Sequence, residues 1–463
     1  MRRALVVAAW IAFVSFATLA QAVADCEWHD IEEELVSIPA RVVEVGPDDS
    51  VYAYYAYGIW RSEDLGTNWS LLKQFPDTVS CAGIYVARSG TVFVGISRVG
   101  RLFRGEPGAP WTWSQPLEFH CNSCVDPGHN SKMWKMGEDS SGALYVGEYG
   151  GAWSDTCAYI YRSTDDGLHW SEVYSSHCRH VHFVRVDPFS DFVYASIGDG
   201  PGRQQLVRSD DGGQTWAVIR DEDCLAQPTS CAFPPDWRVF GSDCGGSTLN
   251  TICTTADDSL FVTRLVLEGQ NDAFVWEMSS DPQGYLYAGT VSKLPGGSTV
   301  ALYASYDAGV TWCTVRDFGV VPRWRGVTSM SAFDSEGWAY CAHSLADGSY
   351  ECFRFRHVPG TGIGQEGDPR RVLLSVAVSP NPARGNVTIH LACRRSSDSL
   401  EIRVVNVHGE CVRVMRHWTL PAGEHNLTWD GCSASGVPVA SGVYFVSVIV
   451  GSETCAERVV LVR

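Results

Sequence analysis

One short pattern recurs along the chain and leaves little freedom for the fold. Ser62-Glu63-Asp64-Leu65-Gly66-Thr67-Asn68-Trp69 returns as Ser163-Thr164-Asp165-Asp166-Gly167-Leu168-His169-Trp170, as Ser209-Asp210-Asp211-Gly212-Gly213-Gln214-Thr215-Trp216 and as Ser305-Tyr306-Asp307-Ala308-Gly309-Val310-Thr311-Trp312. Degraded copies stand between them, at Arg104, Glu106, Gly108 and Trp111 and at Thr255, Asp257 and Ser259. Successive aspartate positions lie roughly 40 to 60 residues apart, the period of a unit that must stack on its neighbours to bury its apolar face. In each copy the aspartate (Asp64, Asp165, Asp211, Asp307) can accept hydrogen bonds from the N–H groups of its own turn, while the glycine supplies a positive φ. The tryptophan opens the next strand and can bury a large area against the adjoining sheet. The pattern therefore predicts structural staples, not catalysts.

Each copy is preceded by apolar strand segments such as Ala143-Leu144-Tyr145-Val146 or Phe192-Val193-Tyr194-Ala195, with no long amphipathic helix between them. The body, residues 25–358, is expected to be an all-β propeller of about seven blades, with six as the alternative. Tyr350 to Phe355 would form the last strand pair, and a strand around Arg41-Val42-Val43 would close the ring, removing exposed sheet edges. The repeated residues match the Asp-box, or BNR, motif S-x-D-x-G-x-x-W, so the chain resembles the sialidase-like superfamily. That resemblance implies an exo-acting glycosidase, but the arginine triad, the Tyr/Glu pair and the Arg-Ile-Pro of sialidases are not recognisable. Ser37-Ile38-Pro39-Ala40 is the nearest match to the last of these. Sialidase catalytic residues are therefore not carried over, and other Asp-box proteins span enzymes and pure binders.

Met1-Arg2-Arg3 followed by the apolar run Ala4 to Ala20 reads as a signal peptide over residues 1–24, with cleavage near Ala24. No other stretch is apolar enough to span a bilayer, so the mature chain is expected to be secreted or displayed on the outer cell surface. A net charge of -18 argues against nucleic acid as a partner. Seventeen cysteines in an exported chain are expected to be mostly disulfides, and close spacing suggests Cys224–Cys231, Cys244–Cys253 and Cys341–Cys352. Cys121-Asn122-Ser123-Cys124 lacks the helix that would tune a redox pair and reads as a structural bridge.

A Pro/Gly-rich linker over 359–371 precedes a second domain at 372–463, read as a small β-sandwich of short strands between turns. Ser379-Pro380-Asn381-Pro382-Ala383-Arg384-Gly385, Val404-Val405-Asn406-Val407-His408-Gly409, Leu420-Pro421-Ala422-Gly423, Trp429-Asp430-Gly431 and Ser441-Gly442-Val443-Tyr444-Phe445 occur in order. Together with the terminal Arg458-Val459-Val460-Leu461-Val462-Arg463, they resemble the type IX secretion sorting domain, itself similar to the FlgD-type immunoglobulin-like fold. The resemblance implies the type IX machinery as a partner.

In a propeller the boxes occupy the turn between third and fourth strands, and ligands usually approach the opposite mouth. Aligning blades by their boxes places Glu148, Asp199 and Asp243 just after second strands, at that mouth. His180 and His182, two apart at the start of a first strand, would share one side. Glu148, His180, His182, Asp199 and Asp243 are the candidate catalytic set, suited to acid–base work or to a divalent metal. Tyr149, Trp134, Trp237, Arg238, Arg323, Trp324 and Arg325, with Lys132 and Lys135, are candidate ligand-binding residues, since aromatic faces suit sugar rings. The sequence has no Walker loop, H-E-x-x-H, G-x-S-x-G or G-x-G-x-x-G. Two readings follow: a surface propeller that binds extracellular glycan or protein ligands, or a glycoside hydrolase or lyase acting on extracellular polysaccharide.

Overall fold

The computed structural model describes residues 31–97, 99–120, 131–150, 158–199, 202–221, 224–234, 237–243, 250–259, 261–267, 273–306, 309, 311–358, 374–393, 400–407, 411–417, 423–450 and 453–463. The expected signal peptide, the Cys121/Cys124 pair, the linker and Asp307 lie outside them. The chain divides into two compact units, Met1–Gly360 and Thr361–Arg463. Among the described residues no helix is long and apolar enough to cross a membrane.

The first unit is all β and is built from antiparallel four-stranded blades. Five are separate sheets, spanning Val42–Gln74, Cys81–Glu118, Met136–Ser176, Val181–Arg220 and Pro228–Leu267. A sixth spans Ala273–Val321. The seventh comprises Gly326–Met330, Ala339–Ser344, Tyr350–His357 and, as its outermost strand, Ile31–Leu35 from the start of the described chain. Blades six and seven touch through a single pairing, Val291 with Gly326. The propeller thus has seven blades. The ring is closed by Ile31–Leu35 and not by the expected strand around Arg41, because Val42–Val45 is the innermost strand of blade one. This closure also explains why no box follows Tyr350–His357: the fourth strand there comes from elsewhere in the chain.

Burial follows position in the blade. Second strands such as Val193–Ile197 and Leu286–Ser292 are buried throughout, because neighbouring blades cover both faces. Fourth strands such as Ser171–Ser176 are largely exposed, which accounts for their polar composition. The turns at Ser62–Trp69, Ser163–Trp170, Ser209–Trp216 and Ser305–Trp312 all join third to fourth strands.

Two of the expected cysteine pairs, Cys224–Cys231 and Cys341–Cys352, are not formed, since Cys231, Cys341 and Cys352 carry free thiols, and Cys244 of the third lies outside the described residues. The sheet explains the second of these cases. Cys341 packs with Phe353 on one face of blade seven, and Cys352 packs with Val43 and Ala53 on the other.

In the second unit, Leu374–Ser379, Val387–Cys393 and Gly423–Trp429 form one sheet; Cys411–His417, Leu400–Asn406, Gly442–Val450 and Glu453–Leu461 form the other. Ile389, Leu391, Ile402, Val404, Val446 and Trp429 fill the core between them. This is the immunoglobulin-like sandwich expected from the sequence.

Candidate functional site

Two kinds of turn end the blades on opposite faces, and they differ in chemistry. At the box face, Gly167 N–H donates to Ser163 Oγ (2.9 Å), His169 N–H donates to Asp165 Oδ1 (2.9 Å), and Trp170 Nε1 donates to the Gly167 carbonyl (3.0 Å). The same three bonds recur around Asp64 and Asp211. Backbone and side-chain donors of the turn hold the Asp64 carboxyl down at about 2; the Thr215 hydroxyl and N–H do the same for Asp211, also about 2. The following residue adds an inter-blade link. The Asp166 carboxylate accepts from Ser89 and Thr91 (2.6 Å each) and from the buried Arg104 (2.7 Å), all in blade two.

The opposite mouth is built by the starts of first strands and the ends of second strands. His180 leads into the first strand of blade four, Val181–Val186, and its register with Val193–Ile197 shifts between Val181 and Phe183. His182 is therefore the extra residue of a β-bulge, which aims its side chain toward the axis. Equivalent shifts in blades two, five, six and seven single out Ala82, Thr229, Trp276 and Thr328. Asp199 follows the second strand through Gly198, whose φ of 76° and close approach to the Arg203 carbonyl exclude any larger residue.

These pieces bring together three of the five candidate catalytic residues. His182 Nε2 lies 2.8 Å from His180 Nε2 and 3.0 Å from Asp199 Oδ1, and His180 Nε2 lies 3.3 Å from Asp199 Oδ2. Both imidazoles are buried, at 1% and 2% exposure, and the Asp199 side chain is 11% exposed. Arg179 pairs with Asp199 Oδ2, and Gln227 Nε2 donates to Oδ1 at 3.0 Å. Burial alone would raise the Asp199 carboxyl, but the adjacent His180 and His182 outweigh it and hold it far below the usual range. Burial lowers His180 to about 4 despite the facing carboxylate.

Asp243 belongs beside this cluster. Its N–H donates to the Gln227 carbonyl (3.1 Å), and burial lifts its carboxyl to about 6, opposed by His182, Lys293 and Arg323 and reinforced by Asp199. Two neighbouring carboxyls are thus driven to opposite sides of their ordinary value.

Glu148 is not brought in. Its carboxylate is fully buried and accepts from Tyr161 Oη (2.9 Å) and the His120 N–H (3.0 Å), on the side facing blade two. The ends of the blade-three strands hold it there, so it serves packing between blades.

Tyr149 and Trp134 do line the mouth. Tyr149 stacks on His180 with centroids 4.4 Å apart; Trp134 lies 4.9 Å from Tyr149 and 4.3 Å from Trp276. Trp134 can reach this place because Gly83 and Gly95 let the Met133–Trp134 backbone press onto blade two, where a Cβ at either would lie 1.9 Å from a carbonyl oxygen. Lys132 sits over the Tyr149 ring at 5.0 Å, and burial, with Arg41 and Arg179 nearby, lowers it to about 8. Lys135 crosses to blade six, pairing with Glu277 at 3.1 Å where both are buried. Arg323 and Trp324 lie at the same mouth, the tryptophan 52% exposed with the guanidinium 4.9 Å above it. Arg325 anchors that loop, its carbonyl accepting the Ser292 N–H at 2.8 Å.

Trp237 and Arg238 belong to the other end. Arg238 opens a second strand, at the box face, and pairs with Asp187 at 3.2 Å. A second strand runs from the box face to the mouth, so only its last residues reach the mouth, and the two positions are corrected accordingly.

Reading the sequence alone missed Arg179, Gln227 and Trp276, and it missed the axis itself. An axial cavity of about 380 Å³ lies toward the box-face ends of the first strands, lined by Glu44, Tyr85, Arg185, Cys231, Met278 and Met330 from six of them. The usable signal was a charged residue inside an apolar first strand, as in Val42-Val43-Glu44-Val45 or Val184-Arg185-Val186.

Among curated proteins, none matches the chain in sequence. Among solved structures, PorZ, an essential surface component of the type-IX secretion system of Porphyromonas gingivalis, is 16% identical with a TM-score of 0.43. The match covers 92% of this chain, which spans 59% of the length of that one. Virginiamycin B lyase from Staphylococcus aureus is 10% identical with a TM-score of 0.49, over 70% of this chain and 98% of its own. Residues 378–453 match the FlgD Ig-like domain family, and the C-terminal unit is a domain of that family.

Proposed function

We propose that this chain is a secreted or cell-surface propeller that binds an extracellular glycan at the mouth opposite its boxes. The observation that carries the reading is the grouping there of Arg179, His180, His182 and Asp199 beside the Trp134–Tyr149 ring pair, with the exposed Trp324 and Arg323 on the same face. Sugar recognition calls for this mixture of flat apolar rings and directional polar groups. A protein ligand is the other partner the mouth could serve. The sorting role of the C-terminal domain, through the type IX machinery, rests on the ordered motifs from Ser379 to Arg463 and accords with the leader-like start of the chain.

A second reading, a hydrolase or lyase of the same polysaccharides, is favoured by one observation. Asp199 is held ionised while Asp243 is lifted to about 6, the separation expected of a base and an acid sharing one site. A glycan array and a chromogenic-substrate screen on the full chain test both readings, with Asp199→Ala and His182→Ala alongside. Binding lost in both variants supports the site. Release of chromophore that needs Asp243 supports the enzyme, and behaviour unchanged in both variants overturns the site.

A further inference from the structure

The two buried histidines at the mouth bring their Nε2 atoms to one carboxylate. His180 Nδ1 faces the Gly150 carbonyl at 3.2 Å, and His182 Nδ1 faces the Pro228 carbonyl at 3.4 Å. A carbonyl can only accept, so each Nδ1 carries the hydrogen and each neutral ring is left with a bare Nε2 lone pair. Those two nitrogens point at one another across 2.8 Å, and both also face the Asp199 carboxylate, at 3.0 and 3.3 Å. Arg179 and Gln227 also reach that carboxylate. Two imidazole nitrogens and a carboxylate oxygen thus converge on one point.

We infer that a divalent transition-metal ion, zinc in the first instance, occupies this point, held by His180 Nε2, His182 Nε2 and one Asp199 oxygen. The three ligand atoms lie within 4.8 Å of one another. Two nitrogens on one tetrahedral zinc would be about 3.3 Å apart at bond lengths of about 2.0–2.1 Å, so a shift of about half an ångström fits the pair to the ion. The backbone carbonyls behind each Nδ1 supply the outer contacts that orient metal-bound histidines, and Arg179 and Gln227 do the same for the carboxylate. Two imidazoles and one carboxylate select a first-row transition ion over calcium or magnesium, which prefer oxygen alone. Three protein ligands leave a fourth position for water or for a ligand oxygen. The inference deepens the mouth-binding reading by giving the ligand an electrophilic anchor, such as a sugar hydroxyl or carboxylate would find.

Equilibrium dialysis of the untagged full chain against zinc, in a Cys411→Ser/Cys432→Ser background that removes the more exposed thiols, is the test. One equivalent should bind, and affinity should fall about 100-fold or more in His182→Ala and in Asp199→Asn. The thermal midpoint should rise with zinc in the parent and not in either variant. If the variants fail to fold, copper loaded into the parent gives a variant-free readout: nitrogen splitting from two imidazoles supports the site, and none overturns it. No zinc uptake by the parent, or equal uptake by folded variants, also overturns it. Glycan binding repeated after chelation keeps the two ideas apart, since binding that persists without metal sinks the metal anchor and spares the glycan-binding mouth.

Discussion

The two faces of the propeller use similar residues to opposite ends. At the box face the turn aspartates are surrounded by donors: Asp165 and Asp211 are wrapped by their own turns, and Asp166 accepts from three groups of the next blade. At the mouth the carboxylates and imidazoles face one another, Asp199 against His180 and His182 with Asp243 close by. Polar groups bonded within one turn stabilise and repeat; ionisable groups gathered from several blades with shifted pKa values mark a candidate site. Repetition therefore marks the scaffold, and departure from it marks the site.

The sharpest way to break this comparison is at the mouth, where Lys135 reaches Glu277 in blade six and also donates to the Trp276 carbonyl at 2.7 Å. Burial lowers the lysine and raises the glutamate, so each depends on the other for its charge. Lys135→Met leaves a buried carboxylate alone and should cost about 3–5 kcal/mol, read as a lower urea midpoint. Adding Glu277→Leu should restore most of it. At the box face, Asp166→Ala removes one partner of the buried Arg104, which keeps Glu106 and the residue-166 carbonyl, and should cost about 1 kcal/mol, with no change in ligand binding. Equal effects of the two single variants would erase the contrast.

Acid titration gives smaller effects of opposite sign. Asp211 sits at about 2 in the folded protein against about 3.9 unfolded, so its stabilisation is present above pH about 4 and is lost as pH falls toward 2. Asp243 sits at about 6, so its contribution is full below pH about 4 and is lost as pH rises through 6. Thermal midpoints from pH 7 to 2 should show Asp211→Asn flattening the lower limb and Asp243→Asn flattening the limb between about 4 and 6. Salt should weaken the first, which is exposed, more than the second.

What could be read from the sequence follows the same division. The boxes, blade number and C-terminal sandwich were legible because each depends on local residues: a turn whose Ser, Asp, Gly and Trp bond among themselves announces itself wherever it recurs. Ring closure was misplaced because Ile31–Leu35 and Val42–Val45 are both short strand segments, and only the long-range pairing of Ile31 with His357 tells them apart. At the mouth, counting from the boxes pointed to Asp199 and Asp243, and two-residue spacing pointed to His180 and His182. It gave the right face for the histidines although a bulge, not simple alternation, turns His182 inward. Glu148 occupies the same counted position as Asp199 yet points between blades, since Tyr161 and His120 offer it donors there. Arg179, Gln227 and Trp276 escaped because their roles exist only once blades four, five and six converge on the axis.

The account stands most directly on one glycan-array measurement made side by side with the parent chain, Asp166→Ala and Asp199→Ala, each first shown to be folded. The box variant should melt lower and keep the parent's binding profile, while the mouth variant should lose that profile. A profile that survives Asp199→Ala, or that disappears with Asp166→Ala in a folded protein, would contradict the division of labour between the two faces.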